Sequence, residues 1–355
     1  STRGSTQSQK SDFKAWGLET LKHIEEDYAL PNSALYADEW KRGQKPEGSP
    51  AFMWGAGVQL SALTAATRIQ PQVYKERLKR FVSALEVYWT LGDNNIGGYD
   101  VLPHPKPLDR YYDDNMWVGL ALVEAYEVTK DKAYRDKAEA VFAFILTVED
   151  DKLGGGIYWK EKEKTSKNTC SNAPAMVLAL RLFQVTHKQD YMDAAKRLYD
   201  WTNAHLQAPD GLFWDNIRVD GTIEKTKWSY NTALMLRANC LFYSLTHEKP
   251  YYEEAERIAR SAASYWVKVE TGAIADDGAF AHLLAEAFLA VSEMDGKTYW
   301  RGLVDKALTH LYTHLKDEDG HYSEHWNRLP TKPHDKVGLL SQASVARAFL
   351  RASLK

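Results

Sequence analysis

The sequence predicts an all-α fold in which six helical hairpins close into an (α/α)6 toroidal barrel. Three observations carry this. Six segments that are apolar on nearly every face begin near residues 52, 113, 171, 229, 279 and 338, a spacing of about fifty to sixty residues. Amphipathic segments alternate with them, at 12–30, 72–90, 132–148, 190–206, 251–267 and 299–315. No run alternates with the period of a strand over a useful length, so strands are expected only as short hairpins in the Gly-rich loops. A helix that is apolar all round has to be covered on every side. One hairpin cannot cover its own apolar helix, so hairpins must stack. An open stack leaves one face wet, whereas a closed inner ring wrapped by amphipathic helices does not.

The elements follow in order. Residues 12–30 carry Phe13, Trp16, Leu18, Leu21, Ile24 and Tyr28 at helical spacing, and Pro31 ends the run. A Gly/Pro-rich stretch from Gly43 to Pro50 precedes the first apolar helix, rich in Met53, Gly55, Gly57, Leu60 and Leu63. Tyr74, Leu78, Phe81, Leu85 and Tyr88 mark one face of the next helix, with Lys75, Glu76, Arg77 and Lys79 on the other. The unit then repeats: a loop rich in Gly and aromatics, an apolar helix, a short turn such as Thr129-Lys130-Asp131 or His187-Lys188-Gln189, and an amphipathic helix. The last apolar helix, Gly338 to Ala352, has no amphipathic follower, so the first helix is expected to pair with it. Ser1 to Ser11 read as a flexible N-terminal segment and 12–355 as one catalytic domain.

A net charge of -3 and a pI near 6.4, with no long basic run, argue against nucleic acid or an anionic membrane surface as partner. No segment has transmembrane length or a signal-peptide pattern. Cys170 and Cys240 lack metal-ligand spacing and read as two buried free thiols. The 12 Trp and 20 Tyr suit either a carbohydrate cleft or a thick aromatic core.

The short turns fall at one end of the hairpins and the long loops at the other. The long loops feed the starts of the apolar helices, and there stand two adjacent acids, Asp113 and Asp114, in Tyr111-Tyr112-Asp113-Asp114-Asn115-Met116-Trp117. Acidic residues at helix starts are ordinary caps and dipole partners. At the mouth of an apolar helix, however, a carboxyl pair is also what glycosidic cleavage needs: one acid, and one nucleophile or base. Adjacent residues favour the shorter separation of retaining enzymes. Two such close carboxylates cannot both ionise freely, so one should stay protonated near neutral pH.

The segment Tyr112-Asp113-Asp114-Asn115-Met116-Trp117, followed by an Ala/Leu-rich helix, resembles glycoside hydrolase family 76, the endo-acting α-1,6-mannanases. So do, in the same order, Gly155-Gly156-Ile157-Tyr158-Trp159, Lys167-Asn168 with Ser171-Asn172-Ala173, Trp214-Asp215, and Trp228-Ser229-Tyr230-Asn231. The resemblance covers about residues 50–245. It implies the six-hairpin toroid, Asp113 as nucleophile, Asp114 as acid/base, retention, and no cofactor. It departs at the fifth apolar helix, where Gly278-Ala279-Phe280-Ala281-His282-Leu283 stands in place of a Phe-Lys-Gly motif.

Trp54, Trp159 and Trp214 are candidates for stacking on sugar faces. Tyr99, Asp100, Tyr112, Asn115, Asn172, Asp215, Tyr230 and Asn231 complete the expected substrate-binding set, by their places in the Gly-rich loops or at apolar helix starts. His321, Glu324, His325 and Asp277 match no metal-ligand pattern, so no metal is expected. The charged run 160–167 reads as a solvated loop. The expected substrate is α-mannan or its oligosaccharides, the expected protein a monomer, and the expected location outside the cytosol, because a polysaccharide cannot enter intact. Four other functions share parts of this pattern. A mannan transglycosylase would keep the whole site. An unsaturated glucuronyl hydrolase would want basic residues in the funnel, a sugar 2-epimerase would want a His pair, and a glycan-binding module would tolerate loss of one carboxylate.

Overall fold

In the computed structural model of the chain, the described residues run from 7 to 354, and among them are twelve α helices. The first six are α1 (Gln7–Tyr28), α2 (Met53–Ile69), α3 (Pro71–Ala84), α4 (Tyr112–Thr129), α5 (Lys132–Leu146) and α6 (Thr169–Thr186). The second six are α7 (Gln189–Leu206), α8 (Ser229–Thr246), α9 (Lys249–Trp266), α10 (Gly278–Asp295), α11 (Thr298–His314) and α12 (Leu339–Ala352). Each helix predicted from periodicity is present, with ends shifted by a few residues. Helix α1 starts at Gln7, so 7–11 are helical, and the rest of the segment expected to be flexible lies outside the described residues. The helix expected over 72–90 stops at Ala84; a 3-10 turn, Leu85–Tyr88, and a strand follow it.

The strands are short. They are β1 (Glu39–Lys41), β2 (Trp89–Leu91), β3 (Gly97–Tyr99), β4 (Ser166–Asn168), β5 (Asn216–Arg218), β6 (Ile223–Glu224) and β7 (Lys336–Gly338). All pairings are antiparallel: β1 with β7, β2 with β3, and β4 with β5, which also pairs with β6.

Two compact units are formed. One contains the chain before Leu85 and the chain from Ala259 onward. In it α1 packs on α12, α12 on α2 and α10, α2 on α3, and α10 on α11. The first and last helices therefore pair, as expected. Phe13 stacks near Phe349 with ring centroids 6.4 Å apart, and a Cβ at Gly17 would lie 2.7 Å from the Leu350 side chain, so only Gly allows this approach.

The other unit is Leu85–Ile258. There α4 packs on α5 and α6, and α6 on α7 and α8. Helices α4, α6 and α8 are buried along almost their whole length, which follows from their lack of a polar face. Each ends on a left-handed residue, Lys130, His187 or His247, with φ of 62°, 60° and 57°. The preceding Thr129, Thr186 or Thr246 hydroxyl accepts a backbone N–H two residues on, at 3.2 Å in each case. This turn reverses the chain into the amphipathic partner and fixes the hairpin. Cys170 and Cys240 are both buried and neither is in a disulfide, as the sequence suggested.

Candidate active site

The site is built where the loops of the Leu85–Ile258 unit meet the starts of α4, α6 and α8. One device recurs there. The fourth residue of each helix reaches back to the loop before it. The Asn115 carboxamide accepts the Tyr99 N–H at 2.8 Å and donates to the Tyr99 and Tyr111 carbonyls at 2.9 and 2.8 Å. Asn172 accepts the Ile157 N–H at 2.8 Å and donates to the Ile157 and Asn168 carbonyls at 2.9 and 2.8 Å. The Thr232 hydroxyl accepts the Phe213 N–H at 3.1 Å. These loops carry Gly before the clamped residue. Gly156 has a φ of +83°, and a Cβ there would sit 2.7 Å from the Trp201 ring.

The clamps correct part of the expected substrate-binding set. Asn115 and Asn172 are fully buried and spend their amides on backbone, so they hold loops rather than sugar. Asp100 is fully buried and accepts the N–H groups of Val101, Leu108 and Asp109 at 2.7, 2.7 and 3.0 Å. Tyr99 is fully buried with Trp89 edge-on against it, and Tyr112 stacks on Phe144 with centroids 5.1 Å apart. The outward-facing member of the Tyr pair is Tyr111, whose ring meets Trp159 edge-on at 5.1 Å. The 160–167 run is not simply solvated. Lys167 is fully buried and donates to Asp150 and to the Lys152 and Gly155 carbonyls, while Lys160 pairs with Asp109 at 3.0 Å. Glu161 receives both arms of the buried Arg110 guanidinium, at 3.0 and 2.6 Å.

Asp113 and Asp114 occupy the first turn of α4, where the helix dipole favours negative charge. Their surroundings differ. Asp113 Oδ1 accepts the Asp114 backbone N–H at 2.9 Å. The Trp159 indole and the Cys170 thiol lie beside the Asp113 carboxylate as polar neighbours. Burial pushes this carboxyl up to about 6, and these neighbours hold it from going further. Asp114 is raised well above the usual carboxylate range, first by burial and then by the charges of Asp113, Asp109 and Asp100. The pair thus presents one carboxylate that accepts the N–H of its neighbour and one carboxyl raised further by the acids around it.

Around the pair stand Trp159, 38 % exposed, and the half-buried Asp215, whose carboxyl is raised by burial. Trp214, beside Asp215, is half-buried, with Lys225 Nζ 5.1 Å from its ring centroid. Tyr230 is buried, with Cys170 beside it. Asn231 is fully buried, and neither its Oδ1 nor its Nδ2 has a hydrogen-bond partner among the described residues; Ser171 Oγ and Trp117 Nε1 share that state. Trp54 lies in the other unit, its ring 5.7 Å from that of Phe280.

Of the four residues weighed as a metal set, Asp277, Glu324 and His325 lie together and His321 lies apart. Asp277 caps α10 and hydrogen-bonds Glu324, with His325 nearby. His321 instead faces Asp27, at 2.7 Å, and lies near Asp317 and Asp319. Asp317 accepts the N–H groups of Asp319, His321 and His334 and faces the His334 ring, and Asp319 pairs with Arg42.

Sequence reasoning missed Cys170 as part of the site. The signal was the repeat register: Cys170 is the second residue of α6, as Asp113 is of α4 and Tyr230 of α8.

The family model described as Glycosyl hydrolase family 76 matches residues 21–354. A GH76 α-mannanase of Bacteroides thetaiotaomicron is 31% identical, with a TM-score of 0.91 over 96% of this chain and 95% of that one. A GH76A α-1,6-mannanase variant of Salegentibacter, inactivated at two adjacent aspartates and bound to α-1,6-mannotriose, has the same fold at 22% identity, with a TM-score of 0.80 over 96% of this chain and 99% of that one. The mannan endo-1,6-α-mannosidase DCW1 of Candida albicans is 26% identical over 237 residues, 62% of this chain and 51% of that protein. The chain spans about half the length of the curated relatives it matches. The all-α toroid expected from the sequence is the fold class of the solved neighbours.

Proposed function

Because the chain belongs to glycosyl hydrolase family 76, we propose that it cleaves internal α-1,6-mannosidic bonds of mannan backbones with retention of configuration. The observation that carries the reading is the unequal pair: Asp113 with the Asp114 N–H on its carboxylate at 2.9 Å and Trp159 and Cys170 beside it, Asp114 buried among the charges of Asp113, Asp109 and Asp100. Such a split assigns the nucleophile and the acid. An Asp113 oxygen attacks the anomeric carbon while the bond from that carbon to the leaving oxygen breaks, and Asp114 gives its proton to that oxygen. Water then attacks the anomeric carbon, Asp114 takes its proton, and the Asp113 carboxylate leaves. Charge develops next to the helix N-terminus and the Trp159 N–H, which stabilise the carboxylate before attack and after release.

Trp159 and Trp214 offer sugar-stacking faces. Asp215 is a hydroxyl acceptor at the same end of the helices, and Asn231 has unspent amide groups for a sugar hydroxyl. The substrate class is supported by the α-mannanase and mannan endo-1,6-α-mannosidase relatives. Acting on a polysaccharide, the protein would work outside the cytosol; among the described residues no helix is long and apolar enough to cross a membrane.

The test is incubation with debranched α-1,6-mannan. A ladder of manno-oligosaccharides whose earliest NMR signals are α-anomers supports the reading. Early β-anomers would mean inversion, and an unchanged polymer would overturn the substrate. Longer products from an added oligosaccharide acceptor would make transglycosylation the principal activity.

A further inference from the structure

The unit that holds the chain before Leu85 and from Ala259 onward contains a cavity of about 430 Å³ that the proposed chemistry does not use. That volume lies within the range of about 300–1,000 Å³ in which small-molecule sites fall. Its walls come from the end of α1, from β1 and the residues just before it, and from the loop 44–49. No described residue of the lining belongs to α4, α6 or α8. Trp40 supplies the aromatic wall, and its indole is held in place. The His321 ring lies against it with centroids 4.2 Å apart, and Arg42 Cζ stands 5.5 Å from its centroid. His321 is fixed in turn by Asp27 at 2.7 Å, and Arg42 by Asp319 at 2.8 Å and Asp335 at 3.1 Å. Strand β1 itself is pinned by β7, so the cavity is built before any ligand arrives.

Three carboxylates of the lining each have one oxygen engaged. Asp27 Oδ2 meets His321, Asp38 Oδ1 accepts the Phe52 N–H at 3.2 Å, and Glu39 Oε1 pairs with Lys336 Nζ at 3.4 Å. Among the described residues the second oxygen of each has no hydrogen bond or ion pair. Burial raises the Asp38 carboxyl, the Phe52 N–H works against the rise, and the Glu39 charge adds to it. Carboxylate oxygens of this kind accept hydroxyl donors, and Lys41 and Lys45, in the same lining, donate to hydroxyl oxygens. The mixed lining selects the charge class. A cation would face the two ammonium groups, and an anion would face Asp27, Asp38, Glu39 and Glu47. A neutral polyol both donates and accepts, and the C–H side of a sugar ring covers an indole.

We propose that this cavity is a second carbohydrate-binding site, which holds a neutral sugar of a glycan chain and does not cleave it. That the chain is the α-1,6-mannan backbone rests on the function proposed above. The site tethers the polymer and so raises the local concentration of its bonds. It adds nothing to the chemical step.

Two measurements test this. The first needs no activity. In the Asp114→Asn protein labelled with fluorotryptophan, the Trp40 resonance is identified by its loss in Trp40→Phe. It is then followed by fluorine NMR as α-1,6-manno-oligosaccharides or β-linked gluco-oligosaccharides are added. A saturable shift with manno-oligosaccharides, abolished by Ser49→Tyr, is expected. Ser49 is exposed and lines the cavity, so the larger side chain fills the space without touching the core. A shift with gluco-oligosaccharides alone keeps the carbohydrate site and overturns its assignment to mannan. A Trp40 resonance that moves with neither overturns the proposal.

The second measurement sets KM against kcat. Ser49→Tyr and Trp40→Ala, each checked for native folding by circular dichroism, should raise KM on debranched polymeric mannan. The expected rise is about five- to tenfold, the scale of one lost aromatic contact. kcat, and KM on a short manno-oligosaccharide, should stay at wild-type values. Equal rises for polymer and oligosaccharide would make the cavity part of the catalytic cleft and overturn a second site. An unchanged polymer KM in both variants would overturn the tether. If the wild-type protein leaves mannan uncut, the mannan reading fails and the Trp40 shift alone decides the site.

Discussion

The backbone N–H of Asp114 donates to Oδ1 of Asp113 at 2.9 Å, so the second acid of the pair helps hold the charge of the first. Among the described residues no such donor reaches the Asp114 carboxyl, which sits beside three other acids, Asp113, Asp109 and Asp100. Both carboxyls are raised, and the one local geometry raises Asp114 further than Asp113.

The pH profile of kcat/KM should therefore be a bell. Its acid limb reports the Asp113 carboxylate, pushed up to about 6, and activity rises as pH rises through that value. Its basic limb reports Asp114, and activity falls as pH rises through that group's higher value. Asp114→Asn should keep binding of manno-oligosaccharides and lose turnover by about 10²-fold or more. Steady-state kinetics with binding calorimetry checks both, and wild-type turnover in Asp114→Asn would sink the assignment.

Stability should run the other way with pH. Both acids have folded-state pKa values above their unfolded ones, so the native protein binds more protons than the unfolded chain. Their contribution is therefore most favourable below the unfolded value, near 4, and is lost as pH rises through the folded values. Asp114→Asn should raise the melting temperature at pH 7–8, by on the order of 2 °C, and leave it little changed at pH 4. Calorimetric scans at the two pH values decide this.

Asn172→Ala should damage stability before it damages affinity. The side chain satisfies both backbone groups of buried Ile157, and its removal leaves them unpaired. The expected loss is about 2–3 kcal/mol, read by chemical denaturation. Substrate KM should change little as long as the fold persists, whereas a direct sugar contact would raise KM at wild-type stability.

Glu161→Ala strips the buried Arg110 guanidinium of its bidentate partner. Breaking such a pair costs about 3 kcal/mol. The partial exposure of Glu161, 27 %, lets water recover part of that. The loop carrying Trp159 is tied to the same partners, since the Glu161 N–H donates to the Arg110 carbonyl at 3.0 Å. Denaturation should show the loss, and kcat should fall with it.

His187→Gly should stabilise the protein by about 0.5–1 kcal/mol. His187 ends α6 with a φ of 60°, a conformation that an L side chain adopts at a cost and Gly does not. A melting temperature that falls would show that the packing of the His187 ring near Phe183, at 6.3 Å, outweighs the backbone term.

Helix positions and the all-α class were legible in the sequence because they depend on local periodicity. An apolar run such as 229–245 has to be buried wherever it lies, and Asp113 and Asp114 stay neighbours in any fold. The pairing of the first and last helices followed from counting partners for the apolar helices. What the sequence alone could not tell is where each polar side chain at a helix start points. Successive residues on a helix turn by about 100°, so Asn115 and Asn172 look like site residues in a linear motif yet face loop backbone, whose N–H and C=O groups no residue letter displays. Tyr111 and Tyr112 exchange roles for the same reason. Cys170 and Tyr230 meet Asp113 only because α4, α6 and α8 pack in series with their first turns level, a register set by side-chain packing between helices far apart in the chain.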